Sequence, residues 1–347
     1  MDAPPVQYVR TSDGYDIAYC VSGEGRPLIF MWDMPLGCAE LLWKSSTMRT
    51  FFEPMASRFR LVQFDSRGSG NSTRNLREGH TCEDYVLDLE VVVDRLGLEA
   101  FVLFAPVSSS HIATRYTVGH PGRVDGLILL NPFPPENPWI GMKNWEELYT
   151  NSWDMFLTSF TKTFYQEGGE DWSGYLRRVT TQADFLMAAR ALADSRVEEM
   201  LPLIATPALI LASREPVWPP LLESAREWAS RILNARLVLF DGQGNNEIVF
   251  PGDSGLPPAL PVIEEFVNNL QATQERKTSA RPLPSGLSLR EIEVLRLLAA
   301  GKSNQQIADE LVISLNTVRR HVSNVFDKTG VANRTEASVY ARDHGLA

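Results

Sequence analysis

Cysteine is scarce in this 347-residue chain, with only Cys20, Cys38 and Cys82, all in its first quarter. Their odd number and lack of ligand-like spacing exclude a disulfide framework and a cysteine-based metal site, and point to a reducing compartment. No apolar run approaches the ~18 residues that a membrane span needs. The opening MDAPPVQYVR also has neither a basic stretch nor an apolar core of the secretory kind. A cytoplasmic protein with no membrane partner is expected. Positive charge is in deficit too, with 33 Lys and Arg against 43 Asp and Glu, a net charge of −10. That excludes a uniformly basic nucleic-acid binder but hides an asymmetry. From Ala272 onward 11 basic residues face 8 acidic ones, leaving 22 against 35 in the preceding part. The tail can approach phosphates while the body repels them.

What is present is ordinary for a folded protein. A composition of 44% hydrophobic, 22% charged and 10% aromatic residues rules out disorder and collagen-like repeats. The length predicts one large domain plus a small one. Short apolar runs alternate with helical patterns through the body, the pattern of an α/β fold with a largely parallel sheet. YVRTSDGYDIAYCVSG predicts a hairpin about Asp13-Gly14. Further strands are predicted at Leu28–Met31, Leu61–Phe64, Phe101–Phe104, Leu127–Leu130, Ala208–Leu211 and Ala235–Phe240. Between about 132 and 203 the rhythm stops, and Trp139, Trp145, Trp153 and Trp172 fall in mostly helical patterns. This stretch reads as an inserted cap, its tryptophans either packed as core or lining a pocket. A helix over Leu260–Leu270 closes a first domain of residues 1–272, an aperiodic linker covers 273–286, and a second domain occupies 287–347.

The tail reads as four consecutive helices. Ser288 and Glu291 make a capping box, Gly301 stops the first helix, and Ser303 and Ser314 cap the next two. In the third helix Val318, Val322 and Val325 share one face, so Arg319, Arg320 and Ser323 project from the other. Two short helices, a tight turn and an outward arginine pair describe a helix-turn-helix. Leu289-Arg290-Glu291, Ser303-Asn304, Ile307-Ala308, Thr317-Val318, His321, Lys328 and Asn333-Arg334-Thr335-Glu336-Ala337 together resemble the LuxR-type helix-turn-helix. The resemblance implies a recognition helix in the major groove of promoter DNA. Arg319, Arg320 and Ser323 would reach base edges and Thr317 and Lys328 would hold phosphates. A last helix from Arg334 to His344 would pair two subunits as a homodimer, with Ala341 at the interface. Thr329 departs from that family, which has an apolar residue there.

The body carries FDSRGSGNS over residues 64–72, followed by YVLDLEVVVDRLGLEAFVLFAP and the turn Ala105-Pro106-Val107-Ser108-Ser109. These segments resemble the α/β-hydrolases, whose nucleophile stands on a sharp strand-to-helix turn. The resemblance implies an α/β-hydrolase-like sheet with a helical cap, and it places Val107 at the nucleophile position. The acid position falls nearest Glu215. The position of the base falls in Gly242-Gln243-Gly244-Asn245, and none of the five histidines lies between residues 121 and 320. The oxyanion loop reads Met31-Trp32-Asp33.

A Ser-His-acid triad needs a nucleophile, an imidazole within reach and a carboxylate to orient it, and valine supplies no part of that. No catalytic residue, metal or cofactor is therefore assigned. The expected function is a transcription regulator whose noncatalytic domain senses a small apolar or amphipathic molecule near Trp32, Asp33, Val107, Ser108, Glu215 and Asn245. Two alternatives stand beside it. One is an esterase-like enzyme using Ser108 or Ser110 with His111 as base, under the control of its DNA-binding tail. The other is a scaffold that binds a protein partner through the cap. On a purely structural reading those serines cap the helix after the turn.

Overall fold

The computed structural model describes residues 3–136, 145–164, 171–216, 220–241, 248, 257–279, 287–311, 313–344 and 346. They form two compact units, one of residues 1–118 and 123–268, the other chiefly from residue 269 on.

The first unit is built on eight strands: β1 (Gln7–Arg10), β2 (Asp16–Ser22), β3 (Pro27–Met31), β4 (Arg60–Phe64), β5 (Phe101–Pro106), β6 (Val124–Leu130), β7 (Ala208–Ser213) and β8 (Ala235–Phe240). Their order across the sheet is β1-β2-β4-β3-β5-β6-β7-β8. The pairs β1–β2 and β2–β4 are antiparallel and every later pair is parallel. Gly14 turns the first hairpin at φ +95°, a conformation glycine adopts without steric cost. All residues of β5 and β7 are buried, which is why these segments read as continuous apolar runs. They run on through Ala105-Pro106 and Ala212-Ser213, beyond the apolar stretches, because the parallel ladder continues to the sheet's carboxyl edge.

Helices α1 (Ala39–Lys44), α2 (Ser46–Ala56), α3 (Cys82–Arg95), α4 (Ser109–Gly119) and α9 (Pro220–Arg231) connect the strands. Four more form the cap: α5 (Glu146–Asn151), α6 (Trp153–Phe164), α7 (Trp172–Val179) and α8 (Gln182–Ala193). Trp145, Tyr149, Trp153, Phe156, Phe160 and Phe185 pack on one another with ring centroids 5.0–6.2 Å apart. Trp145 and Trp153 are thus part of the cap's own core, and Trp139 lies outside the described residues.

Helix α10 runs from Ala259 to Ser279, nine residues beyond the predicted stop. The linker reading fails over 273–279 because Gln271–Lys277 holds good helix formers with no glycine, and the first proline is Pro282.

The second unit consists of α11 (Leu289–Ala299), α12 (Asn304–Leu311), α13 (Leu315–Thr329) and α14 (Arg334–Asp343). Both bonds of the Ser288–Glu291 capping box form. Gly301, at φ +79°, ends α11 in a Schellman turn, with the Lys302 N–H donating to Leu297 O and the Gly301 N–H to Leu298 O. Among the described residues no helix is long and apolar enough to cross a membrane.

Candidate functional site

The loop after β4 supports the sheet edge. The Asp65 carboxylate accepts from the Ala39 N–H at 2.7 Å and the Asn71 N–H at 2.8 Å, so it caps α1 from a distant part of the chain. Gly70, at φ +56°, passes so close that a Cβ there would lie 2.2 Å from the Asp65 carboxylate. Two residues after Asp65, the buried Arg67 pairs with the buried Asp88 at 2.8 Å and with Asp13 at 2.6 Å. These residues fix the loop and the start of α1, and with it the β3–α1 segment that carries Trp32 and Asp33.

The β5–α4 turn keeps the sharp conformation of a nucleophile elbow with an inert side chain at its tip. Val107 sits at φ +48°, an unfavourable conformation for a β-branched residue. Its surroundings hold it there. The Val107 N–H donates to Leu130 O on β6, and its carbonyl accepts from the Ser110 and Phe133 N–H groups. Ser108 and Ser110 do not cap α4, the structural alternative weighed for them, and neither does Ser109. The Ser109 hydroxyl donates to Pro106 O and the Ser110 hydroxyl to Val107 O, because buried hydroxyls on this tight turn find carbonyls closer than free helix N–H groups.

Ser108 turns to the β3–α1 loop. Its N–H donates to Asp33 Oδ1 at 3.1 Å, its hydroxyl donates to the same oxygen, and its Oγ accepts from the Met34 N–H at 3.1 Å. In α/β-hydrolases the oxyanion is held by the N–H after the nucleophile and an N–H from this loop. Here both donors are engaged by side chains of the chain itself. Burial pushes the Asp33 carboxyl up to about 6, against the bonds from Ser108 and Met34.

His111 lies fully buried on α4, with Nδ1 3.3 Å from Ser195 Oγ, and burial pushes it down to about 4. Its imidazole makes no hydrogen bond to Ser108 or Ser110, so the structure assembles no serine-histidine pair from the residues proposed for one.

The sequence thus brought Asp33, Val107 and Ser108 to one place, with Trp32 beside them. It missed Met34, whose contribution is a backbone N–H that no side-chain pattern reveals. Glu215 is exposed two residues past β7, its N–H donating to Ser213 Oγ, and it joins none of those four. Asn245 lies outside the described residues. A cleft of about 530 Å3 opens between α1 and α7, lined by Leu41, Leu42, Trp172, Tyr175 and Arg178 among others. None of the predicted ligand residues lines it. The Tyr175 hydroxyl, which donates to Leu36 O, ties the cap to the β3–α1 loop. Among the described residues no cluster of three or more His, Cys, Asp and Glu could hold a metal ion.

In the helical unit Val318 and Val325 are buried while Arg319, Arg320 and Ser323 are exposed, and Thr317 is half-buried. Lys328 donates to Glu291 at 2.8 Å, a carboxylate only 3% exposed, so its ammonium braces the capping box of α11. Against the opposing effect of burial, Lys328 and Ser288 hold Glu291 below the usual carboxylate range. Thr329 satisfies its hydroxyl by donating to Val325 O at 2.6 Å, which accommodates a polar residue at an otherwise apolar position. Ala341 differs from expectation. It is completely buried with Leu287, Ile292, Leu295, Val325 and Ala337, and Val339 is the large apolar side chain of α14 left exposed. The i, i+4 spacing of Ala337 and Ala341 turns that face inward, toward α11.

The sheet order, the elbow and the cap define an α/β-hydrolase-type domain, and the four helices define a helix-turn-helix. The alpha/beta hydrolase fold model matches residues 37–218, over half of the sequence, and the chain belongs to that family. Residues 285–341 match the bacterial regulatory proteins of the luxR family. The tail is similar to the transcriptional regulatory protein LiaR of Bacillus subtilis, 40% identical over 86 residues, 24% of this chain and 41% of the relative. The body is similar to a proline iminopeptidase of Neisseria meningitidis, 30% identical over 194 residues, 54% of this chain and 60% of the relative. The chain therefore spans less than two thirds of the length of either. The fold is shared with the enol-lactonase of Burkholderia xenovorans, at 17% identity and a TM-score of 0.61, over 77% of this chain and all of that one.

Proposed function

We propose that this chain is a transcription regulator that reads promoter DNA through α13 and binds a small apolar or amphipathic molecule, without turning it over, at the carboxyl edge of its sheet. The observation that carries the noncatalytic reading is the elbow itself: valine stands at its tip, and both oxyanion donors are engaged by Ser108 and Asp33. Removing a nucleophile leaves at most the oxyanion and binding contributions to rate, and here the first of these is blocked as well. Trp32, Asp33, Val107, Ser108, Glu215 and Asn245 are the proposed ligand residues. Arg319, Arg320, Ser323 and Thr317 are the proposed DNA residues, with Lys328 dividing its ammonium between Glu291 and a phosphate. The protein acts as a homodimer through α14, with Val339 rather than Ala341 at the contact.

Selection of genomic fragments by the full chain, followed by footprinting, tests the regulator. A pseudo-palindrome with half-sites about one helical turn apart is expected. Protection without sequence preference would contradict it.

A further inference from the structure

The Ser108 and Met34 N–H groups are the two donors a hydrolase of this fold offers to a substrate oxygen. In this chain the Met34 N–H is taken by Ser108 Oγ, while Asp33 Oδ1 takes the Ser108 N–H. The second oxygen, Oδ2, accepts no hydrogen bond from any described residue, Asp33 is only half-buried, and no described Lys, Arg or His pairs with it. A carboxylate offers acceptors only. Held partly out of water without a counter-charge, it favours a donor and repels a second carboxylate or a carbonyl oxygen.

We infer that Asp33 inverts the polarity of the site, so that the ligand presents a hydrogen-bond donor, an alcohol or an amine, where a hydrolase substrate presents its carbonyl. The inference rests on the reading that this domain binds a small molecule at the sheet edge, and it specifies the chemistry of that molecule's polar end.

Four probes with the same apolar body separate the possibilities: phenylbutanol, phenylbutylamine, phenylbutyrate and methyl phenylbutyrate, titrated calorimetrically into the full-length protein. The alcohol and amine are expected to bind about tenfold more tightly than the carboxylate and ester, the size of one charge-assisted hydrogen bond. Asp33→Ala frees the Ser108 N–H, so the order should reverse toward the carboxylate and ester. Asp33→Asn keeps the oxygen that accepts from Ser108 but turns an amide NH2 donor toward the ligand, so it should remove the advantage of the alcohol and the amine and favour the carboxylate and ester. It serves also if the alanine variant does not fold. Preference of the wild type for the carboxylate or ester, or one order shared by all three proteins, would overturn the inference and leave the binding reading standing. Failure of all four probes on every variant would overturn both.

Discussion

The carboxylate of Asp33 accepts from both the N–H and the hydroxyl of Ser108, joining the β3–α1 loop to the elbow after β5. One contact therefore decides two properties. It takes up one of the two donors that would stabilise an oxyanion, the Ser108 N–H, and it leaves a poorly hydrated charge at the sheet edge.

That charge has a stability signature. Burial raises Asp33 from 3.8 to about 6. The folded state thus holds the proton more tightly than the unfolded chain, and its stability falls as pH rises through that window. Asp33→Asn keeps the acceptor for Ser108 without the charge. The variant should melt higher than wild type at neutral pH, with the gap closing toward pH ~4. His111, lowered to about 4, makes stability rise with pH over much of the same range, but it is common to both proteins and cancels in the difference. A constant or inverted gap in melting temperature would contradict the assignment.

The Arg67–Asp88 pair should be costly to break. Both side chains are fully buried, and Asp88→Ala leaves a buried guanidinium with the half-exposed Asp13 at 2.6 Å and Asp84 at 3.9 Å. A loss of about 3–5 kcal/mol is expected from denaturant unfolding of the variant. A loss below ~1 kcal/mol would show that the cluster is not the clamp of this loop.

The two apolar residues of α14 should fail differently. Ala341→Asp puts a charge into the core of the helical unit and should unfold it, costing at least about 3 kcal/mol. Val339→Asp, at a site 51% exposed, should leave folding intact and weaken self-association. Circular dichroism and sedimentation of the two variants check the contrast.

On DNA, whichever of Arg319 and Arg320 reads a base should cost roughly 1–3 kcal/mol on replacement by alanine and relax preference at one base pair. Lys328→Ala should lower affinity for all sequences and also destabilise α11 by about 0.5–1 kcal/mol, because Glu291 loses its partner. Footprinting paired with thermal melts separates these effects. Operator affinity untouched by both arginine changes would remove α13 from recognition.

Most of the fold was legible because it is written in local patterns: the Asp13-Gly14 turn, apolar runs as long as strands, and Ser288, Ser303 and Ser314 at helix starts. The α10 extension was not, since a charged stretch with no apolar stripe reads alike as linker and as solvated helix. At the site, Val107 announced an altered elbow through its place in a recognisable turn. The Asp33–Ser108 contact did not, because it joins residues 75 apart through a backbone N–H. Ala341 was misplaced for a related reason. A small residue on an amphipathic helix fits a subunit contact and a domain core equally well, and only the packing of α14 on α11 decides.

The most direct test of the noncatalytic account is pre-steady-state hydrolysis of p-nitrophenyl butyrate by the purified full-length protein, read by absorbance and by intact mass. The account predicts release at the buffer rate, no burst and an unmodified chain, because Val107 offers no nucleophile and Asp33 and Ser108 engage the two oxyanion donors. A stoichiometric burst with a butyryl adduct on Ser108, lost in Ser108→Ala, would contradict it.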